Sequence, residues 1–418
     1  MGLRNPMTSS RPETSRRTLL KLGASVAPLA AQHASGQALP PPKGKLTIDR
    51  VKVYVTPMLP QSRFDSPEFG SEEDPKRWRW LGPFAQLAGS IIVEIGTKQG
   101  ITGYGMGGGG AAAALIIGKH LRDFLIGADP LRVELLWDQM YSSTLYYGRR
   151  GVTIMALSGV DLALWDIIGR FHDQPVGQLL GGPVKARVPA YYTGTDLEFA
   201  IRSGFSAIKI PVPRGIRDGR DGMKRTESDL LRVSERIGAD RSLMIDANCL
   251  WDVPYTLEML ERLRPVKLAF LEEPLSPDDV LGYADVCRAT GTTRIASGEH
   301  EYTRHGYRLL LHHKAVHILQ PDLAWCGGLT EIRRVVAMAA AENLPVIPHR
   351  GGSAYALPLV LASPNCPLAE SFGTGEPENE LLAAVSSRFE NGRYFGSDKP
   401  GFGHSLTTAL LEKNNKAG

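Results

Sequence analysis

The feature that most limits how this sequence can fold is a regular series of short apolar runs between residues 208 and 349. Each run is followed by a polar or charged residue, and these residues are Lys209, Asp246, Glu272, Glu299, Asp322 and His349. The steps between them are 37, 26, 27, 23 and 27 residues. Each step is long enough for one strand, one helix and two loops, so the spacing predicts parallel βαβ units.

A parallel series of this length favours a (β/α)8-type barrel, in which the carboxyl ends of all strands lie on one face. Catalytic residues of such barrels are found on that face. We therefore expect the polar residues that end the runs to converge on one pocket. The predicted barrel occupies residues 186–375, from the run PAYYTG to the short strand PLAE that ends at Glu370.

A second, α+β domain is predicted for residues 47–185. The run TIDRVKVYVTP alternates apolar and polar residues, and SIIVEIGTKQGITGYG predicts two strands joined by a turn at residues 97–100. Helical periodicity then extends from Ala111 to His172. The fold class is therefore α/β, a barrel preceded by a smaller domain.

Residues 1–38 have the composition of an export signal. Arg16 and Arg17 precede an apolar stretch, and residues 36–38 fit a small-x-small cleavage site. This order predicts export to the periplasm by the twin-arginine route, with residues 39–46 as a linker. The alternative is a disordered basic extension that contains an arginine pair by chance.

Composition excludes several classes of function. The whole net charge of +4 is carried by residues 1–38, so no basic patch indicates a nucleic-acid partner. We found no continuous run of 18 apolar residues and expect no membrane-spanning helix. The cysteines have no CxxC spacing, and we expect all four to be small buried apolar residues, although spacing leaves disulfides open. They are Cys249, Cys287, Cys326 and Cys366.

Three of the residues that end the runs are carboxylates, namely Asp246, Glu272 and Glu299. Three converging carboxylates would repel one another and raise each other's pKa values unless a cation lay between them. Oxygen ligands of this kind suit Mg²⁺, which we predict as the cofactor. One such acid alone could simply cap a strand or pair with a surface base; three at successive strand ends favour the metal.

His349 and Asp322 are predicted to lie on neighbouring strand ends. A carboxylate beside a histidine selects its tautomer and raises its basicity, which makes a general base that works near neutral pH. Without a metal site nearby, a capping histidine and a solvated aspartate would be the simpler interpretation.

The order of these six residues resembles the enolase superfamily, in its mandelate racemase/muconate lactonizing enzyme branch. Longer stretches resemble rhamnonate dehydratase-like acid-sugar dehydratases: TLYYGRRG, VDLALWDIIGR, LLGG, QPDLAWCGGLTE and DKPGFG. The resemblance covers most of residues 47–405. It implies a (β/α)7β barrel capped by the α+β domain, and we expect residues 376–418 to pack back on that domain.

The reaction of this family removes the proton α to a carboxylate, and Mg²⁺ takes up the charge that develops on the carboxylate oxygens. The resemblance implies Asp246, Glu272 and Glu299 as metal ligands, His349 as the base and Asp322 as its partner. We expect Glu273 and Asn248 to support the ligands. The predicted substrate-binding residues are Lys209, Arg79, His300 and Glu370.

Several of these assignments have plain alternatives. Lys209 could pair with Asp246, Arg79 could be an ordinary surface arginine, and Glu370 could face solvent. The family also uses a histidine in the loop that contains Arg79, whereas this chain has none between His33 and His120. That difference counts against rhamnonate itself as the substrate.

The sequence Lys209-Ile210-Pro211 differs from the Lys-x-Lys motif of many relatives, in which the second lysine is a base on the opposite face. The resemblance therefore favours a Mg²⁺-dependent dehydratase, a carbon–oxygen lyase that converts an acid sugar into a 2-keto-3-deoxy acid. The alternatives are a racemase or epimerase of a 2-hydroxy acid, and a non-catalytic periplasmic binding protein. We also expect a homo-oligomer.

Overall fold

The computed structural model of the 418-residue chain describes residues 46–56, 89–373 and 380–415. The predicted export signal, most of the predicted linker, and Arg79 lie outside the described residues. The strands are β1 Ile48–Thr56, β2 Ser90–Thr97, β3 Thr102–Gly107, β4 Arg187–Thr193, β5 Ala207–Pro211, β6 Ser242–Asp246, β7 Phe270–Glu272, β8 Arg294–Ser297, β9 Ile318–Leu319, β10 Ala369–Ser371, β11 Arg388–Glu390 and β12 Arg393–Phe395.

Five α-helices lie between β3 and β4, and most of the others alternate with the strands that follow. They are α1 Gly110–Ile116, α2 Arg122–Leu125, α3 Val133–Thr144, α4 Val152–Phe171, α5 Val176–Leu179, α6 Leu197–Arg202, α7 Gly219–Ile237, α8 Val253–Arg262, α9 Val280–Ala289, α10 Thr303–His312, α11 Gly328–Ala341, α12 Leu357–Ala362, α13 Glu380–Val385 and α14 Thr408–Asn414. A π-helical turn, Ile117–Leu121, joins α1 to α2.

Strands β1 to β3 form an antiparallel sheet that packs on α4. The predicted turn between β2 and β3 is present, and Gly100 supplies its left-handed backbone with φ +85°. A Cβ atom at Gly105 would lie 2.1 Å from the carbonyl oxygen of Gly159 in α4, so only glycine permits this close approach. Helix α4 is long and apolar enough to cross a membrane, but 89% of it is buried inside the protein, as in a core helix.

Strands β4 to β9 are parallel neighbours, Leu319 bridges to Val346, and β10 pairs with β4. Inside this sheet lies an apolar cluster with one residue from each of seven successive runs: Tyr191, Ala207, Met244, Phe270, Ala296, Ile318 and Ile347. Side chains two residues apart on a strand point to the same side. The polar residues two positions further on therefore form a ring above this layer, and they include Thr193, Lys209, Asp246, Glu272, Gln320 and His349.

The C-terminal segment contacts both parts of the fold. Strand β12 pairs antiparallel with β4 of the barrel sheet. Further on, the Thr408 hydroxyl donates to Glu94 of β2 at 2.8 Å, and the backbone N–H of Phe402 donates to Asp166 of α4 at 3.1 Å. The segment is thus shared between the barrel and the N-terminal sheet, and the domain boundaries given above stay predictions.

Candidate metal and proton-transfer site

Asp246 ends β6 and is held by the turn that follows it. The backbone N–H of Asn248 donates to Asp246 Oδ1 at 2.8 Å, and the Asn248 side-chain amide donates to the Asp246 carbonyl at 3.2 Å. Asn248 has φ +50°, a left-handed conformation that asparagine adopts more readily than most residues. The contacts agree with the supporting role predicted for Asn248.

Glu272 ends β7 and is almost completely buried, at 1% exposure. Lys209 Nζ donates to its Oε1 at 2.5 Å, and Gln320 Nε2 donates to its Oε2 at 2.6 Å. Both neighbours belong to the polar ring, so the ring itself fixes the orientation of this carboxylate.

Lys209 lies among acids rather than in open solvent. Its ammonium is 2.8 Å from Glu370 Oε1 and 3.9 Å from Asp246 Oδ2, in addition to the contact with Glu272. Burial opposes the charge of Lys209, yet Glu272 and Glu370 raise its pKa well above the ordinary value, so it stays a cation. The predicted pairing with Asp246 is the longest of these contacts.

Glu299 follows β8 after Gly298, whose φ of +136° takes the chain out of the strand. Burial, with smaller contributions from neighbouring carboxylates, raises the pKa values of Asp246, Glu272 and Glu299 to about 7. These carboxylates are therefore costly to ionise together without a further cation. Buried oxygen donors of one sign are the donor set that a hard divalent cation such as Mg²⁺ requires, so these residues fit the predicted metal.

Glu370, in contrast, is well stabilised as an anion. The Thr193 hydroxyl donates to its Oε1 at 2.6 Å, and the backbone N–H of Arg350 donates to its Oε2 at 2.8 Å. Burial alone would raise its pKa, but Lys209 and His349 lower that pKa to about 2. Glu370 is buried rather than solvent-facing, and both of its oxygens are engaged.

The imidazole of His349 is oriented through one nitrogen and leaves the other toward the carboxylates. Its Nδ1 is 2.7 Å from Asp322 Oδ2, while its Nε2 is 3.6 Å from Glu299 Oε2 and 3.9 Å from Glu370 Oε2. Burial opposes protonation, but Glu299, Glu370 and Asp322 together raise the pKa of His349. Since an ionised aspartate only accepts, Nδ1 carries the hydrogen of this contact, and Nε2 faces Glu299 and Glu370.

Asp322 is held ionised from two directions. Arg350 Nε donates to its Oδ2 at 3.0 Å, and the backbone N–H of Ala324 donates to its Oδ1 at 2.6 Å. Although burial favours the neutral acid, Arg350 and His349 lower the pKa of Asp322. The guanidinium of Arg350 also lies over the ring of Trp325, 4.7 Å from its centroid.

Two matches with known proteins decide the family. Residues 195–410 match the family described as enolase C-terminal domain-like, and residues 85–181 match the mandelate racemase/muconate lactonizing enzyme N-terminal domain. The chain belongs to the mandelate racemase/muconate lactonizing enzyme family of the enolase superfamily.

Similar proteins within the family include acid-sugar dehydratases. A Caldivirga maquilingensis protein, provisionally named L-rhamnonate dehydratase, is 38% identical over 337 residues, which cover 79% of this chain and 84% of that protein. Two solved structures of the Gibberella zeae rhamnonate dehydratase, one complexed with Mg, have TM-scores of 0.78 and 34% identity. They cover 88% of this chain and 95% and 96% of theirs. A magnesium-bound racemase from Streptomyces coelicolor is 29% identical, with a TM-score of 0.74 over 88% of this chain and 99% of that one.

The predicted family residues that the structure describes lie together. Asp246, Glu272 and Glu370 all contact Lys209. Glu370 and Glu299 also approach Nε2 of His349, whose Nδ1 contacts Asp322. His300 Nδ1 is 2.8 Å from Glu273 Oε2 and 3.8 Å from Glu299 Oε1. Their functional roles remain predictions, and Arg79 lies outside the described residues.

Sequence reasoning missed three residues of the site. Gln320 was identifiable, because it lies two positions before Asp322 in a predicted strand end and two positions after the interior residue Ile318. Arg350 and Trp325 lie in loops and have no such periodic signal. Their contacts with Asp322 and His349 depend on how those loops fold.

Proposed function

We propose that this protein is a Mg²⁺-dependent dehydratase of acid sugars. It would remove the proton at C2, α to the carboxylate, and expel the hydroxyl at C3, which gives a 2-keto-3-deoxy acid and water. The observation that carries the proposal is the position of His349 Nε2, which Asp322 does not engage and which lies 3.6 Å from a carboxylate of the predicted metal triad. The similar dehydratases in the family support the class of substrate.

The three carboxylates with raised pKa values, Asp246, Glu272 and Glu299, would hold the metal. Bound there, Mg²⁺ supplies positive charge to the substrate carboxylate as its α-carbon loses a proton. Asn248 and Gln320 keep two of the ligands in place through the hydrogen bonds described above. Lys209 cannot supply this positive charge in place of Mg²⁺, because its ammonium already pairs with Glu272 and Glu370.

His349 would act as the base through Nε2. Asp322 accepts from Nδ1–H, which keeps Nε2 free and stabilises the imidazolium that forms after proton transfer. If the C2 proton and the C3 hydroxyl lie on the same face of the substrate, the imidazolium can return its proton to the departing hydroxyl as water. The enol product then tautomerises to the keto acid.

The contacts of Lys209 favour dehydration over two-base racemisation. A racemase needs a second base on the opposite face of the α-carbon, and Pro211 occupies the position of the usual lysine. The ammonium of Lys209 is buried, at 1% exposure, and paired with two carboxylates. We infer that Lys209 balances the charge of the ligand set, with substrate contact as the weaker alternative.

The test is a screen of aldonates, including L-rhamnonate, with purified enzyme and Mg²⁺ in D₂O. Dehydration is expected to give a semicarbazide-reactive keto acid, and no product is expected in EDTA. Recovery of deuterated substrate with inverted configuration, without keto acid, would instead identify a racemase or epimerase. A protein that binds acid sugars, holds no Mg²⁺ and turns over none of them would be the non-catalytic alternative.

We further propose periplasmic export and homo-oligomer formation. Arg16 and Arg17 before an apolar stretch support export, and replacing both with lysine should retain the protein in the cytoplasm if the twin-arginine route is used. Homo-oligomer formation is a separate proposal, and Leu115, Leu145 and Tyr146, which are exposed large apolar side chains in the described part of the chain, are candidates for a subunit contact. Sedimentation velocity measures the assembly directly.

A further inference from the structure

A second group of possible metal ligands lies beside the carboxylate ring. Cys249, Glu273 and His300 each place one ligand atom within 4.8 Å of the other two. Cys249 Sγ is 3.4 Å from Glu273 Oε2, and His300 Nδ1 is 2.8 Å from the same oxygen. None of these side chains is among the metal ligands or the proton-transfer pair proposed above.

Each member of this group lies shortly after one of the predicted magnesium ligands in the sequence. Cys249 comes three residues after Asp246, while Glu273 and His300 directly follow Glu272 and Glu299. Cys249 and Glu273 have φ values of +59° and +39°, which non-glycine residues rarely adopt, so the local backbone is held in an unusual conformation. The backbone N–H of Cys249 donates to the Glu273 carbonyl at 2.7 Å. This hydrogen bond joins the turn after β6 to the turn after β7. Strain of this kind is common at ligand sites.

One polar atom in this group lacks a partner. Glu273 is 3% exposed, and its Oε1 accepts no hydrogen bond from the residues that the structure describes. Buried acceptors are usually satisfied, so an unpaired carboxylate oxygen next to a thiol and an imidazole is available to a further ligand.

The donor set differs from that of the magnesium site. Sulfur, nitrogen and oxygen donors suit Zn²⁺ and Cd²⁺, whereas Mg²⁺ prefers oxygen alone. With bonds of about 2.0–2.3 Å, a tetrahedral Zn²⁺ site holds its ligand atoms roughly 3.3–3.8 Å apart. Two of the observed separations are 2.8 and 3.4 Å, and all three ligand atoms lie within 4.8 Å of one another, so small side-chain rotations would bring them to this spacing. Burial raises the pKa of the Cys249 thiol, and a bound ion would have to displace that proton to solvent.

We propose that Cys249, Glu273 and His300 form a binding site for a thiophilic divalent cation such as Zn²⁺ or Cd²⁺, separate from the magnesium ligands. Binding would break the His300–Glu273 hydrogen bond and move both side chains. Because these residues directly follow Glu272 and Glu299 along the chain, their movement would displace the two magnesium ligands. The ion would therefore inhibit the enzyme. Only this inhibition rests on the proposed dehydratase function; binding of the ion does not.

The binding test uses Cd²⁺ with the full-length protein in saturating Mg²⁺. Wild type should bind Cd²⁺ and develop the ultraviolet charge-transfer band of a Cd²⁺–thiolate bond. Cys249→Ser and Cys249→Ala should lose the band, with at least about a 100-fold loss of affinity, because even an outer partner of a ligand contributes about 10–100-fold. Cys287→Ser is the matched control, since Cys287 is another half-buried free cysteine.

Two further measurements distinguish binding at Cys249, Glu273 and His300 from binding at the magnesium ligands. Glu272→Gln should keep the band, which would exclude Cd²⁺ binding only at the magnesium ligands. Zn²⁺ should inhibit wild type and Cys287→Ser more strongly than Cys249→Ser. No band in wild type, or a band that survives in Cys249→Ser, would overturn the site. If the band is normal but no acid sugar is turned over, the proposed function fails and the site stands.

Discussion

At the scale of single residues, Asp322 is the group on which the proposed base depends. Its Oδ2 lies 2.7 Å from His349 Nδ1 and also accepts from Arg350 Nε at 3.0 Å. The arginine keeps the carboxylate ionised, and the ionised carboxylate selects the tautomer in which His349 Nε2 is free. The same oxygen therefore accepts from both Arg350 and His349, and both contacts are needed for a positioned base.

Replacing Asp322 with asparagine should lower kcat by about 10²–10⁴-fold, the range of general acid–base contributions. The amide keeps the shape but no longer stabilises the imidazolium. His349→Asn should also abolish exchange of the C2 proton with D₂O, whereas Asp322→Asn should only slow it. Exchange at the wild-type rate in His349→Asn would assign the proton transfer to another residue.

A second prediction concerns Lys209, whose ammonium is buried against Glu272 and Glu370. Lys209→Met leaves these carboxylates without their cation, and loss of one partner of a buried ion pair costs about 3–5 kcal/mol. Urea denaturation of the metal-free protein should show this loss. Lys224→Met is the control, since Lys224 is 67% exposed. A change below about 1 kcal/mol would mean that Lys209 is not a required counter-ion.

At the scale of secondary-structure elements, helix α4 connects the N-terminal sheet with the end of the chain. Asp166 on this helix is fully buried and accepts from the backbone N–H groups of Tyr104 and Phe402, both at 3.1 Å. It also accepts from Arg170 Nε at 2.7 Å and lies 3.3 Å from His404 Nε2. Burial opposes its ionisation, but His404 and Arg170 lower the pKa of Asp166.

Asp166→Asn should therefore destabilise the protein by about 3–5 kcal/mol, because it leaves the half-buried Arg170 guanidinium without its buried anion. Limited proteolysis should also cut the segment after residue 395 faster, since one of its backbone anchors is lost. Asp138→Asn, on the exposed face of α3, is the matched control. Unchanged proteolysis of that segment in Asp166→Asn would contradict the anchoring role.

At the scale of the whole molecule, the metal-free protein contains carboxylates that resist ionisation. The pKa values of Asp246, Glu272 and Glu299 are about 7, above the ordinary values of 3.8 for aspartate and 4.5 for glutamate. The folded state thus binds more protons than the unfolded state between pH about 4.5 and 7. The free energy of unfolding rises with pH only where the unfolded state binds more protons. Asp246, Glu272 and Glu299 therefore make the free energy of unfolding fall as the pH rises through this window.

His300 acts in the same direction at higher pH. Burial opposes its charge, but Glu273 and Glu299 raise its pKa to about 10, so its contribution is complete below pH 6.5 and is lost toward pH 10. Glu370, with a pKa of about 2, contributes stability above pH 4.5 and stays constant in this window. Asp161, remote from the ligand set, also has a raised pKa of about 7, so the informative quantity is the difference with and without metal.

We expect Mg²⁺ to raise the Tm more at pH 8 than at pH 5.5, because it neutralises the ionised carboxylates and competes with their protons at lower pH. Differential scanning calorimetry in EDTA and in MgCl₂ at both pH values measures this. In Glu272→Gln the gain at pH 8 should shrink. A Mg²⁺ effect that is larger at pH 5.5 would argue against binding at these carboxylates.

The parallel barrel and the positions of Asp246, Glu272 and His349 were predictable from the sequence. The direction of a side chain on a strand is set by its position in the strand, which can be read from the sequence. Residues two apart on a strand share a face, so an interior residue such as Met244 predicts where Asp246 points. The same rule identifies Gln320 and Lys209 as members of the ring.

The partners of these side chains were decided only by the tertiary structure, since they come from distant segments. Lys209 pairs with Glu272 and Glu370 rather than chiefly with Asp246 because β10 closes the sheet against β4 and brings Glu370 beside it. Arg350 reaches Asp322 because it directly follows His349, and the run that ends at His349 pairs with the strand before Asp322. Periodicity records which way a side chain points, whereas the charge that meets it depends on how the sheet closes.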